Sequence, residues 1–170
     1  GLNMAPLLVN SPRFSASASL HGYFVQDPVN TWPAGSGGKY TSVLLTFPKS
    51  LNTSFASGYL LDVTADYMEF YCMTELAGTA ATKIGIGGVT APVVLSPGLF
   101  ANGGLPADVE PYEGVVVTVK NVAVTDATGG SSPKWWFQAT GGIYVVNDFL
   151  LTGFTPVVGK TLTSLTGAVK

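Results

Sequence analysis

The fold is decided by the stretch PYEGVVVTVKNVAVTD, which occupies residues 111–126. Its β-branched residues alternate between two faces, as in a half-buried strand, and Val115, Val117 and Val119 share one of them. Asn121 interrupts this alternation as a β-bulge does, and the pattern then resumes. A long strand that bends midway can pair with different neighbours at its two ends, and it therefore predicts a small barrel.

The composition restricts the class of protein before any motif is considered. Only 11% of the 170 residues are charged and 46% are hydrophobic, whereas a soluble domain carries about 25% charged residues. Such a chain is too hydrophobic to be disordered, and no apolar run approaches the ~20 residues of a membrane span. Its solubility must come from Ser, Thr, Asn and Gly, which is typical of extracellular β-domains. We therefore expect an exported protein of the extracellular space or the cell envelope, from which any signal peptide has been removed.

Charge and cysteine content argue against two further classes. The net charge is −2, and Arg13 is the only arginine. Scattered lysines do not supply the clustered cations that strong non-specific binding to phosphate backbones needs. Cys72 is the only cysteine, so we expect neither a disulfide framework nor a cysteine metal cluster. A buried structural thiol is the simplest interpretation of this residue.

Strand patterns and turn residues run the length of the chain, and no segment has a helical period. In the first half we predict five strands, at residues 14–20, 23–28, 40–47, 58–67 and 70–76. A turn at His21-Gly22 separates the first two, and a mobile loop at 29–39 follows them. Residues 77–105 form mainly a connection, with a short strand near 91–95. In the second half we predict four strands, at residues 115–124, 134–139, 143–147 and 160–167.

The two halves of this all-β chain can be laid over each other. Residues 23–26, YFVQ, match residues 135–138, WWFQ, and residues 58–65 match 159–167 with one extra residue. Five short antiparallel strands with a long, bent first strand describe an OB-fold, which is a small Greek-key barrel. We therefore predict two OB-like barrels in tandem, the second of which ends after its fourth strand and is either incomplete or completed by another segment. The predicted domains span residues 1–94 and 95–170.

Short motifs carry a resemblance to a known family. Residues 22–28 read GYFVQDP, residues 58–64 read GYLLDVT, and residues 110–117 read EPYEGVVV. Together with MTEL at 73–76, they resemble the OB-like domains that accompany bacterial extracellular nucleases. The resemblance covers roughly residues 14–170 and implies an accessory module beside a separate catalytic or anchoring domain. It does not extend to the metal-binding or general-base residues of that family, so it implies no nuclease activity.

No set of residues predicts an active site. His21 is the only histidine, and general-base catalysis needs a positioned partner that its surroundings in the sequence do not indicate. The ten carboxylates do not cluster, and no D-x-D-x-D-G calcium loop is present. The glycine-rich tract at 35–38 lacks the G-K-[ST] of a phosphate-binding loop. We therefore expect no enzyme activity, no catalytic residue, no metal site and no cofactor.

Aromatic residues are the most suggestive candidates for binding. Trp135, Trp136 and Phe137 are consecutive, so a strand must direct Trp136 to the face opposite the other two. Rings outside a barrel core can stack on nucleobases or sugars, and the face of strands two and three is the usual ligand platform of an OB-fold. The predicted ligand-binding residues are Tyr23, Gln26, Trp32, Trp135, Trp136 and Gln138.

These patterns together predict a non-enzymatic accessory binding module whose ligand is a nucleic acid or another polymer. Two alternatives stay open. A purely structural spacer would bury the same aromatic rings between the barrels, whereas a carbohydrate-binding module would fit the aromatic residues and the low charge equally well. Exposure of the tryptophans distinguishes a spacer from a binding module, and salt dependence distinguishes a nucleic acid from a sugar.

Overall fold

The computed structural model describes residues 2–3, 6–28, 38–70, 73–101, 108–129, 136–146 and 154–169. The chain is all-β, with two multi-stranded sheets, and the helices in the described residues are short 3-10 turns at Lys49–Leu51, Pro97–Phe100 and Glu110–Tyr112. It divides into two compact units. The first comprises Gly1–Ala91, Tyr112–Val116 and Ala168–Lys170, and the second comprises Pro92–Pro111 and Val117–Gly167. The expected boundary after residue 94 lies near the change of unit after residue 91, but the chain returns to the first unit twice more.

The first unit contains a closed ring of strands. Its strands are β1 (Leu2–Asn3), β2 (Leu7–Val9), β3 (Leu20–Gln26), β4 (Ser42–Pro48), β5 (Tyr59–Phe70) and β6 (Met73–Ile86). They pair in the order β1-β5-β2-β3-β4-β6, and a further pairing of β5 with β6 closes the ring. β4 and β6 are parallel, whereas the other pairs are antiparallel. The ring encloses one hydrophobic core.

Alternation along the strands determines which side chains enter this core. On β5, Leu61, Val63 and Ala65 are buried, as their alternation predicted. They pack together with Tyr23 of β3. Tyr67, which the same alternation places on this face, is 60% exposed, because β5 extends beyond the core there.

Three predictions for the first unit are wrong. Residues 15–19 form no strand, since the Ser17 hydroxyl accepts hydrogen bonds from the backbone N–H groups of residues 19 and 20, and small Ser and Ala side chains bury little surface to oppose such local bonds. His21 and Gly22 lie inside β3 and not in a turn. β6 continues to Ile86 and does not end at residue 76, because it pairs with β5 over most of its length.

The second sheet is built around one long strand, β8 (Val116–Asp126). Its other strands are β7 (Val93–Leu95), β9 (Phe137–Ala139), β10 (Ile143–Val145) and β11 (Thr161–Ala168). The order is β10-β9-β8-β11, and β7 pairs with β8 in parallel. The four strands predicted for this half and the short strand expected near 91–95 are therefore present. Because β7 precedes β8 in the chain, an upstream segment adds a fifth strand to this sheet.

The central strand β8 bends at Asn121, where the backbone is left-handed with a φ of 55°. Asn tolerates this conformation better than most residues, because its short polar side chain can hydrogen-bond locally. Val119 and Val122 are both buried although they are three residues apart, so the strand changes phase between them. The predicted break in the alternation is confirmed.

The neighbouring strand β11 also directs side chains three residues apart toward one core. It lies beside β8, and the hydroxyls of Thr118 and Thr166 are 2.7 Å apart across the pair. Leu162 and Leu165, which are also three residues apart, both pack against the core of the second unit. Each of the two strands therefore directs two apolar side chains into one core.

The packing of the first core can be tested by substitution of Gly78. A Cβ atom added at Gly78 of β6 would lie 2.3 Å from Cε1 of the fully buried Phe47 ring. We expect Gly78→Ala to lower the free energy of unfolding by about 1–3 kcal/mol, measured by urea denaturation, because overpacking displaces a ring that has no space to move. Gly85→Ala on the same strand is the control, since its Cβ would lie 3.5 Å from Leu60, an ordinary contact. Equal stability of the two variants would contradict this account.

Candidate functional site

The predicted contact residues fall on two strands. Tyr23 and Gln26 lie on β3, Gln138 lies on β9, and Trp136 immediately precedes β9. The other two predicted residues, Trp32 and Trp135, lie outside the described residues. The predicted residues therefore lie on two separate candidate surfaces, one on β3 in the first unit and one on β9 in the second, and each is described by itself.

Tyr23 belongs to the core and not to the surface. Side chains alternate between the two faces of β3, so the Tyr23 ring points into the core together with Val25, and its exposed fraction is 0%. The phenol hydroxyl donates a hydrogen bond to the carbonyl of Thr53 at 3.1 Å and accepts one from the backbone N–H of Phe55 at 3.2 Å. Tyr23 thus fixes the segment after the first 3-10 helix, and its prediction as a surface contact is corrected.

Gln26 points to the opposite face of β3 but is also buried, at 3% exposure. It lies between Leu8 of β2 and Ser42 of β4, and its side-chain oxygen accepts a hydrogen bond from the amide of Asn10. The other amide atoms of the two residues, a donor and an acceptor, have no partner among the described residues. Gln26 retains an amide N–H group without a partner among the described residues, but its burial prevents contact with a ligand at the surface.

The chain itself covers this outer face of β3 and β4. Phe24 and Leu44 are both nearly fully buried there, and the ring of Phe14 lies 5.3 Å from that of Phe24. Ser42 Oγ can donate to the carbonyl of Gly114 at 2.8 Å, and a Cβ at Gly114 would lie only 3.1 Å from the backbone of β4. The face on which an OB-like barrel would hold a ligand is therefore closed in the first unit.

Among the described residues, the corresponding face of the second unit carries one well-exposed side chain, Tyr144. Gln138 pairs across the sheet with Tyr144 of β10 and with Asp126 of β8, so the three side chains share one face. Phe137 and Ala139, which alternate with Gln138, are buried on the other face. Tyr144 is 47% exposed, and Asp126 and Gln138 are half-buried. We call the surface formed by these three residues the β9–β10 platform.

Two of these platform residues, Tyr144 and Asp126, are not among the predicted contact residues. The repeat itself contained a signal for Tyr144, because it aligns Gln26 with Gln138. Gln26 pairs with Ser42 in the first unit, just as Gln138 pairs with Tyr144 in the second. The Gly-Gly turn at 141–142 fixes this register, so the partner of Gln138 could have been counted from it.

Trp136 packs within its own unit. Its ring lies 5.5 Å from the rings of Phe137 and Phe154 in edge-on geometry, and its backbone N–H donates to the carbonyl of Val145 at 2.6 Å. The residue is half-buried. It therefore stabilises the second core with part of its ring and leaves only the remainder to solvent.

Hydrogen bonds keep Asp126 of the platform in its charged form. The backbone N–H and the hydroxyl of Thr128 donate to Asp126 Oδ1 at 2.8 and 2.7 Å. These two bonds, the backbone bond first, hold the pKa of the carboxyl below its ordinary value. At neutral pH the platform combines an anion, an amide and a phenol ring. All three can form hydrogen bonds with hydroxyl groups, whereas the anion repels phosphate.

His21 has the environment of a structural residue. It is 5% exposed, and its Nε2 contacts the Thr53 hydroxyl. Burial lowers its pKa below the ordinary value, and the nearby charges of Arg13 and Lys49 lower it further. The neutral ring is therefore the form that the fold favours.

The lowered pKa of His21 should make the stability of the fold depend on pH. The unfolded chain takes up a proton near pH 6.5, whereas the folded chain does so only at lower pH. The free energy of unfolding should therefore fall as the pH falls from about 7 to about 5.5. His21→Gln should flatten this slope in urea denaturation, since the chain has a single histidine. An unchanged slope in the variant would assign the dependence to other groups.

Two carboxylates near the end of the β5–β6 hairpin accept hydrogen bonds from neighbouring protein groups. Glu113 accepts a hydrogen bond from the backbone N–H of Thr74 at 2.8 Å. Glu69 accepts hydrogen bonds from the hydroxyls of Tyr67 and Thr74, and the Tyr67 bond lowers its pKa. In the described ranges, no group of three or more His, Cys, Asp or Glu side chains is placed to hold a metal ion.

No protein-family model, curated protein or solved structure matches this chain. Within the part of the chain that the structure covers, no helix is long and apolar enough to cross a membrane.

Proposed function

We propose that this chain is a non-enzymatic accessory module of an exported bacterial protein, and that its second unit binds a neutral polysaccharide. The module would consist of two OB-like barrels joined to a catalytic or anchoring domain. It would bring that domain to a polymer and would itself carry no catalytic residue, metal or cofactor.

Strand order supports the OB-like assignment. In the first unit the ring runs β2-β3-β4-β6-β5, and its one parallel pair is β4 with β6, as in a five-stranded Greek-key barrel. In the second sheet, β8, β9, β10 and β11 follow each other as β2, β3, β4 and β5 do. The short motifs shared with domains beside bacterial extracellular nucleases favour the same class and an exported location.

The observation that carries the ligand assignment is the exposure of Tyr144 beside Gln138 and Asp126. A half-exposed phenol ring can stack on the apolar face of a sugar. The neighbouring amide and carboxylate can then bind its hydroxyl groups. A nucleic acid fits less well, because Asp126 is anionic and the chain has a net charge of −2.

A spacer function is the second candidate, and the first unit favours it. The outer face of β3 and β4 is filled by Phe14, Phe24 and Leu44, which leaves no platform there. In this alternative the second unit would bind no ligand either. The two candidate functions therefore differ only in whether the β9–β10 platform binds a ligand.

Affinity electrophoresis in gels that contain a soluble neutral β-glucan or xylan tests the proposal. We expect the polysaccharide to retard the protein, and Tyr144→Ala to weaken binding about 5- to 100-fold, since a stacking ring contributes about 1–3 kcal/mol. Gln138→Ala should weaken binding less. Retardation should be unaffected by salt, because no counterions are released.

Tyr40→Asn is the control, because Tyr40 is more exposed than Tyr144, at 67% against 47%, but lies in the first unit with a positive φ that Asn tolerates. Binding that is equal in the wild type and in Tyr144→Ala would contradict the platform assignment. Saturable, salt-sensitive binding of a single-stranded oligonucleotide would favour the nucleic-acid alternative. No binding to either polymer would leave the spacer.

A further inference from the structure

Two cations lie near His21 at one end of the ring of strands in the first unit. The charges of Arg13 and Lys49 both act on this histidine, and in the described part of the chain no carboxylate is among the groups that shift its pKa. Both cations are exposed. His21 lies near the start of β3 on the same face as Tyr23, so these groups are separate from the covered outer face of β3 and β4. We call Arg13, Lys49 and His21 the cationic cluster.

The guanidinium of Arg13 is held in place and still has free donors. Its Nη1 donates to the carbonyl of Thr53 at 3.0 Å, and the hydroxyl of the buried Tyr23 donates to the same oxygen at 3.1 Å. The other N–H groups of its planar fork have no acceptor among the described residues, and such a fork matches the oxygens of a phosphate or sulfate group. Asn52 and Ser54, the exposed neighbours of Thr53 in the chain, add an amide and a hydroxyl that can donate to an oxyanion.

Lys49 contributes a fixed charge to the cluster. Its ammonium donates to Ser15 Oγ at 3.0 Å and to the carbonyls of residues 17 and 18 at 2.9 and 3.1 Å. These bonds engage all three of its N–H groups and hold the charge in place. Lys83 of the same unit differs, because its ammonium lies over the ring of Tyr59, 3.8 Å from the centroid.

We propose that the cationic cluster binds one tetrahedral oxyanion, a phosphate or sulfate group, whose oxygens accept hydrogen bonds from Arg13 and whose charge Lys49 attracts. An anion there would offset the mutual repulsion of the cations. The net charge of −2 and the small number of cations argue against a long polyanion as the ligand. The ligand is therefore a free anion or a single ester group on a small molecule. The site shares no residue with the β9–β10 platform and is independent of polysaccharide binding.

Binding of the anion should depend on the protonation of His21. An anion near the ring favours its charged form and so raises its pKa, which is opposite to the effect of the two cations. The other groups that contact the ring are the Thr53 hydroxyl and the rings of Tyr23 and Phe47. By linkage, a rise of about one pH unit in the pKa of His21 means that the anion binds about tenfold more tightly to the protonated form. The affinity should therefore increase as the pH falls.

Proton NMR of the single histidine tests the site. Sodium sulfate, titrated at constant ionic strength, should shift the His21 ring signal saturably, with a Kd on the order of millimolar. Saturating sulfate should raise the pKa of His21 by about one pH unit. Sulfate keeps its charge throughout the titration, so its own protonation does not contribute. Comparison of inorganic phosphate with methyl phosphate then distinguishes the two sources, since equal binding shows that an ester fits and binding of the inorganic ion alone assigns a free anion.

Substitutions of Arg13 separate its charge from its shape. Arg13→Gln should weaken sulfate binding at least about tenfold, because charge-assisted hydrogen bonds are lost. Arg13→Lys should retain part of the affinity, since an ammonium keeps the charge without the planar fork. Lys83→Gln removes an exposed cation of the same unit and is the control, so it should bind sulfate like the wild type.

The wild-type titration decides the proposal even where a variant fails to fold. A His21 signal that does not saturate with sulfate would overturn it, as would a pKa of His21 that sulfate leaves unchanged. Unchanged binding in a folded Arg13→Gln variant, or a loss of binding in Lys83→Gln, would also contradict the assignment of the site.

Discussion

The left-handed backbone at Asn121 is the constraint around which the second unit is arranged. A strand with strict alternation could not bury both Val119 and Val122, which are three residues apart. The change of phase lets the first part of β8 pair with β7 and its last part with β9, while β11 lies along its other side. One residue outside the usual β region therefore permits one strand to serve several neighbours and one core.

The two sheets differ in what they present at the surface. In the first, the outer face of β3 and β4 is buried, and Gln26 is buried on that face. In the second, the equivalent pair of strands leaves Tyr144 exposed beside Gln138. The predicted repeat therefore does not extend to the surface, because burial of a face depends on the segments that pack over it. This difference favours one binding face and one structural barrel in the same chain.

The candidate site could be predicted only in part. Gln138 was found because the repeat aligns it with Gln26, and its strand follows from its pattern. Tyr144 was missed because a lone tyrosine in a short strand resembles a core residue until the hairpin register is counted. Tyr23 was misplaced for the opposite reason, since an aromatic residue beside Gln26 resembles a platform although its alternation points inward. Side-chain direction, which differs between adjacent strand residues, decided these cases.

The sequence by itself determined the all-β class, the positions of most strands and the bend at Asn121, because these depend on alternation and on local backbone preference. It failed at residues 15–19, where short side-chain hydrogen bonds compete with strand formation, and at the end of β6, where pairing with a distant strand extends the element. Only the tertiary structure decided which faces are open. Whether Phe14 and Gly114 cover β3 and β4 depends on contacts between residues far apart in the chain, and such contacts leave no periodic signal in the sequence.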